Sequence, residues 1–191
     1  TTYISDAQIV RLLSFIKESR DTKEGRKWWN AIALVSCFGL RGVELGWISA
    51  NGVFLHCSYS KRTTKQPKGT PPRDIISLDP DGLEGKGDEL ISSLKECAIA
   101  ELLPEACLRR NAKGDPHQAG AALNQYLARL PIWKELVSEV ARMPTTGLTG
   151  NELVPYSLRH AYAARARRMG IPDLTAAMNM GHSLQTHNFN Y

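Results

Sequence analysis

Cysteine is scarce in this chain: Cys37, Cys57, Cys97 and Cys107 are the only four in 191 residues. None forms a C-x-x-C pair and no histidine lies at zinc-finger spacing from them, which excludes the common zinc frameworks. A disulfide scaffold does not suit a chain of this length without a secretory signal. Cys37 sits inside an apolar run and is expected as a reduced core thiol. Apolar runs near the ~20 residues that cross a membrane are also missing. The opening Thr1-Thr2-Tyr3 has neither the charged nor the apolar region of a signal peptide, and it lacks an initiator Met. The expectation is a piece excised from something longer. Acidic residues are missing from two long stretches, with none between Leu45 and Arg73 and only Asp173 between Leu153 and Tyr191.

What fills those stretches is basic. The first holds Lys61, Arg62, Lys65, Lys68 and Arg73, and the second Arg159, Arg165, Arg167 and Arg168. Between them, Asp79 to Glu105 carries eight acids against Lys86 and Lys95. The overall excess is modest, 24 Lys and Arg against 19 Asp and Glu. Its segregation fits a polarised surface with one face for a polyanion. Solvated faces on unrelated sides fit equally well, and charge alone leaves both readings open. With 42% hydrophobic and 23% charged residues the composition is that of a globular protein with one well-formed core.

Apolar periodicity indicates a mainly helical chain. Ser5-Asp6 can cap a helix presenting Ile9, Leu12, Leu13 and Ile16. A second helix is expected over 24–38, ended by Gly39, followed by a short helical turn carrying Arg41, Glu44 and Leu45. Val53–Tyr59, opening after the turn pair Asn51-Gly52, and Arg73–Leu78 read as strands. The polar, basic segment Lys61–Pro72 between them reads as a long hairpin tip. Helices are expected at about 88–102, 117–130, 132–142 and 157–169, and a last one from Pro172 to Gly181. The fold class is α+β, mainly α-helical with a small antiparallel sheet. Trp28 and Trp29 read as packing residues.

Cleaving a phosphodiester without a metal builds negative charge on a five-coordinate phosphorus, and donors must meet it. Arginine suits this because its planar, permanently charged fork binds two oxygens at once. A nucleophile must attack and an acid must protonate the departing oxygen. Gly39-Leu40-Arg41-Gly42-Val43-Glu44-Leu45 resembles the G-L-R-x-x-E-L segment of the tyrosine recombinases, the phage-integrase family. Tyr156-Ser157-Leu158-Arg159-His160 resembles the H-x-L-R-H box of that family. Lys65 lies 24 residues after Arg41, Gly181-His182 places its histidine 23 residues after Arg159, and Tyr191 follows nine residues later, all at family spacing. The resemblance runs from about Gly39 to Tyr191.

The resemblance implies a catalytic domain like those of DNA breaking-rejoining enzymes, spanning 1–191 as a single unit, with an N-terminal DNA-clamping domain and a C-terminal tail outside it. It implies that Arg41 and Arg159 bind the scissile phosphate, that His182 donates a third hydrogen bond, and that Lys65 is the general acid. Tyr191 would be the nucleophile, leaving a 3′-phosphotyrosine whose stored bond energy makes ATP unnecessary. Lys61 and Lys68 compete with Lys65 for the acid role. Glu44, three residues from Arg41, is expected to orient it. Tyr156 stands where the family usually has His; a phenol with an ordinary pKa near ~10 is a poor base at neutral pH. That leaves Tyr156 the positioning of water, phosphate or Tyr191. Lys61, Arg62, Lys68, Arg73 and Arg165 are expected to contact DNA.

The expected partners are double-stranded DNA and further recombinase subunits in a tetrameric synapse on it, with the piece alone monomeric. The expected place of action is the bacterial cytoplasm, at the nucleoid. A type IB topoisomerase, a telomere resolvase, or an inactive DNA-binding domain remain as alternatives. No cofactor is expected. No Asp/Glu/His cluster accompanies the basic motifs, so cleavage of DNA should persist in excess EDTA; strict dependence on magnesium in the same assay would point to a nuclease-type mechanism.

Overall fold

In the computed structural model the described residues are 2–61, 64, 69–110, 118–144 and 152–190, with backbone only for the last two positions. The N-terminal helix α1 (Asp6–Ser19) starts where Ser5 and Gln8 form a reciprocal capping box. Its Ile9, Leu12, Leu13 and Ile16 are all buried. They pack on α2 (Lys23–Phe38), which Thr22 caps and Gly39 ends. From Ala31 to Phe38 α2 is buried on every side, as its unbroken apolar run demands, and Cys37 lies in the core with it. Burial pushes the Cys37 thiol far up, so it stays protonated. Trp28 stacks on Tyr126 with ring centroids 4.3 Å apart, a packing role.

After a 3-10 turn (Gly42–Trp47) come three antiparallel strands in the order β1 (Ile48–Asn51), β2 (Phe54–Cys57), β3 (Arg73–Ile75). Asn51 pairs with Phe54, leaving Gly52-Val53 as a two-residue turn with Gly52 at φ +60°. The strand β1 is invisible to sequence patterning: with only Ile48 β-branched, it exists because β2 offers it a partner. Thr70 and Lys61 bond to each other at the base of the β2–β3 connection. Arg62, Lys65 and Lys68 lie outside the described residues.

The helix expected over 88–102 is broken into α3 (Lys86–Glu96) and α4 (Ile99–Leu102), and α5 (Glu105–Leu108) follows Pro104. Cys97 is extended at φ −123° and ψ 150°. From α2, Lys27 Nζ and Asn30 Nδ2 donate to the carbonyls of Ala100 and Leu102 and so cover acceptors at the end of α4, where Pro104 has no N–H to offer. Then come α6 (Gln118–Ala128), α7 (Pro131–Ala141), α8 (Tyr156–Arg168), α9 (Asp173–Met180) and α10 (Leu184–Asn190). Pro172 is the N-cap of α9 rather than its first helical residue, and α10 is an element that patterning does not reveal. Among the described residues no helix is long and apolar enough to cross a membrane.

Alanines 161, 163 and 166 let α8 lie close against α2 and α9. Arg165 corrects an expectation here. It does not lie at the surface; it is buried, with Nε and Nη2 on Asp6 Oδ1 and Nη1 on the carbonyls of Ser36 and Leu78. It thereby ties the start of α1 to α2, β3's exit and α8. Burial alone raises the Asp6 carboxyl, but Arg165 and Arg168 outweigh it and hold it below the usual carboxylate range. Asp6→Asn should cost about 3–5 kcal/mol in urea unfolding, because Arg165 is left as an uncompensated buried charge. Arg168→Ala removes a half-exposed partner of the same carboxylate and should cost about 0–1 kcal/mol.

Candidate active site

Three arginines from three elements converge on one carboxylate. Glu44, in the 3-10 turn, is wholly buried. Arg41, the residue before that turn, places Nη1 2.7 Å from Glu44 Oε1 and donates its backbone N–H to Oε2 at 2.8 Å. Arg73, opening β3, places Nη2 2.9 Å from Oε1. Arg159, in the first turn of α8, places Nη1 3.7 Å from Oε2. Burial by itself pushes the Glu44 carboxyl up; Arg73, Arg159 and Arg41 together overcome it and hold the group below its ordinary range.

The same arginines close the ends of two helices. Arg159 donates to the carbonyls of Gly39, just past α2, and of Met180, the last residue of α9. Arg73 Nε donates to Asn179 O at 2.7 Å, and Arg41 Nη2 reaches Gly181 O at 3.5 Å. Both helices end in a left-handed glycine that admits no side chain. A Cβ on Gly39 (φ +62°) would lie 2.7 Å from the Tyr162 ring, and one on Gly181 (φ +66°) 2.8 Å from the Arg73 guanidinium. The buried Tyr162 donates its hydroxyl to Ile76 O and accepts from Asn179 Nδ2, which links α8 to α9 and the sheet.

Arg73 was expected at a DNA surface and is instead inside. Its Nε, Nη2 and Nη1 serve Asn179, Glu44 and Cys57 Sγ, and 8% of its side chain is exposed. Arg41 is more open, at 16%. Arg159 is wholly buried. Tyr156 is exposed at 44%, with its ring edge-on to His160 at 4.8 Å and 5.8 Å from the Arg159 guanidinium. Lys61 is exposed. Lys65 and Tyr191 lie outside the described residues, as do Arg62 and Lys68.

His182 follows Gly181 in the turn after α9, its N–H bonded to Ala177 O. Its ring stacks on His187 of α10, centroids 5.3 Å apart. Motif reading missed His187; the signal was a second histidine five residues beyond the Gly-His pair. Burial, then the charges of Arg159, His187 and Arg41, push the His182 imidazole down to about 3. His160 is lowered to about 4 by burial and Arg159. Burial first, with the positive charge left over by three guanidiniums against one carboxylate adding to it, favours the neutral form of both histidines. An anion brought to the site would reverse that balance.

No family model matches the chain. Excisase A of Nostoc sp. (strain PCC 7120) is 57% identical over 181 residues, covering 91% of this chain and 32% of that protein. The chain thus spans about a third of the length of that curated relative. Among solved structures, a lambda integrase dimer bound to a core site aligns over 98% of this chain and 58% of its own, with TM-score 0.59 and 16% identity. The Tn1549 transposon integrase with circular intermediate DNA aligns over 99% and 62%, with TM-score 0.59 and 20% identity. The fold is that of the catalytic domain of tyrosine recombinases.

Glu44→Gln should lower stability by about 3–5 kcal/mol, since its arginines stay buried without their counter-charge. The carboxyl is depressed in the folded state. Its stabilisation is therefore complete above the unfolded carboxyl pKa of about 4.3 and is lost as pH falls through the lower folded value. Urea titrations at several pH values should show that acid limb in the native protein and its reduction in the variant.

Proposed function

We propose that this chain is the DNA-cleaving and rejoining part of a site-specific tyrosine recombinase. The observation that carries the reading is the convergence of Arg41 and Arg159 on buried Glu44, with His182 in the adjoining turn. In this reading the two guanidiniums receive the non-bridging oxygens of a scissile phosphate, and Glu44 fixes their planes without neutralising them. Arg159 is wholly buried, so engaging a phosphate goes with uncovering its guanidinium. His182, neutral in the chain alone, donates a hydrogen bond, and the arriving phosphate favours its charged form.

Tyr191 attacks phosphorus, the 5′ oxygen leaves with a proton from Lys65, and the 3′ phosphate stays on the tyrosine until the reverse step rejoins a strand. The substrate is double-stranded DNA, gripped through its phosphates, so binding weakens steeply with salt. The identity with a protein named an excisase supports excision as the direction. Paired strand exchange calls for several subunits on the DNA.

Covalent trapping on a nicked duplex tests the proposal. Tyr191→Phe should bind DNA and form no adduct, and Arg41→Ala should form it about 10²–10³-fold more slowly. An undiminished adduct with Tyr191→Phe would assign the chemistry to another residue.

A further inference from the structure

Arg73 is the one member of the guanidinium cluster to which the function proposed above gives no task. It opens β3 opposite Cys57 of β2 and turns inward, with 8% of its side chain exposed. Its Nη2 lies 2.9 Å from Glu44 Oε1, the same oxygen that Arg41 Nη1 meets at 2.7 Å. Neutralising Glu44 does not call for it, because Arg41 and Arg159 already set two cations against one carboxylate. A third buried guanidinium must be desolvated as well, so its place needs another reason.

That reason lies at its other edge. Arg73 Nε donates to the carbonyl of Asn179 at 2.7 Å, near the end of α9. Asn179 is itself buried and held from the opposite side, its Nδ2 donating to the Tyr162 hydroxyl at 3.1 Å. Two residues on, the backbone of Gly181 packs directly against the guanidinium, where a Cβ would come within 2.8 Å of it. His182 is the next residue. Arg41 also reaches this turn, but only at 3.5 Å to Gly181 O, a weak contact beside the one from Arg73. One rigid, planar group thus spans from the carboxylate that holds Arg41 to the helix end that carries His182.

We propose that Arg73 is a positioning residue of the cleavage site, fixing the spacing between Arg41 and His182 by holding Glu44 with one edge of its guanidinium and Asn179 O with the other. It touches neither DNA nor the reacting atoms and acts through those two partners. A lysine keeps the charge but is a single point without the fork, so it cannot span both. The proposal rests on the recombinase reading, whose own failure is a native protein that forms no covalent adduct with DNA.

The experiment compares the native protein, Arg73→Lys and Arg73→Ala on a nicked duplex, with amide hydrogen exchange followed without DNA. Arg73→Lys should bind with native affinity and salt dependence, yet form the adduct at saturating DNA about 10²-fold more slowly, as misplaced donors do. Added guanidinium ion should restore part of the Arg73→Ala rate. In DNA-free Arg73→Lys the amides of Gly181 and His182, bonded to the Met178 and Ala177 carbonyls, should lose protection while those of α2 keep theirs. A native adduct rate in Arg73→Lys overturns the proposal. So does a salt slope lowered by about 1, which marks a lost phosphate contact. Protection lost throughout the chain, with no rescue by guanidinium, also overturns it, because a general stabilising role gives that result. If the native protein forms no adduct, the recombinase reading falls, and hydrogen exchange still decides whether Arg73 holds the turn.

Discussion

A single carboxylate, buried and surrounded by cations, organises this molecule. Glu44 could not remain ionised in the interior alone, because desolvation favours its neutral form. Arg41, Arg73 and Arg159 reverse that preference, and they arrive from the residue before a 3-10 turn, the start of a strand and the start of a helix. Each element must be in place for the charge to be tolerated, so the cluster couples the sheet to both ends of the site. Buried ion pairs are weak sources of net stability. What this one supplies is geometry: guanidinium planes fixed within a small space, with positive charge left over.

The second constraint is the supply of helix ends. The closing carbonyls of a helix have no partner within it and carry partial negative charge. Here cationic side chains take them. From α2, Ser36 O accepts from Arg165 and Gly39 O from Arg159. Around the end of α9, Asn179, Met180 and Gly181 accept from Arg73, Arg159 and Arg41 in turn. Left-handed glycines end both helices where a Cβ would strike Tyr162 or Arg73. The Gly-Leu-Arg and Gly-His motifs are thus two halves of one construction, a helix end and the guanidinium that covers it.

Burial, with surplus cationic charge added to it, then lowers the pKa values of the histidines nearby. His160 and His182 lie far below their ordinary values and His187 lies below its own, for the shared reasons of burial and Arg159. A site held in this condition favours an incoming anion. It also keeps His160 and His182 in the neutral form.

Local pattern by itself determined α1, α2, α6, α7 and α8, because their apolar residues recur at the helical period, and side-chain caps open α1 and α2. It also singled out Arg41, Glu44, Arg159 and His182 through motif spacing. It did not yield β1, whose four residues form a strand through pairing with β2, nor the break at Cys97, whose extended backbone separates α3 from α4. It placed Arg73 and Arg165 on a DNA surface because a count of basic residues cannot tell a solvated guanidinium from one spent on buried partners. Only the tertiary structure made that distinction: Asp6 and Glu44, far from those arginines in sequence, are close in space, and Coulomb attraction in a poorly solvated interior decides which arginines turn inward.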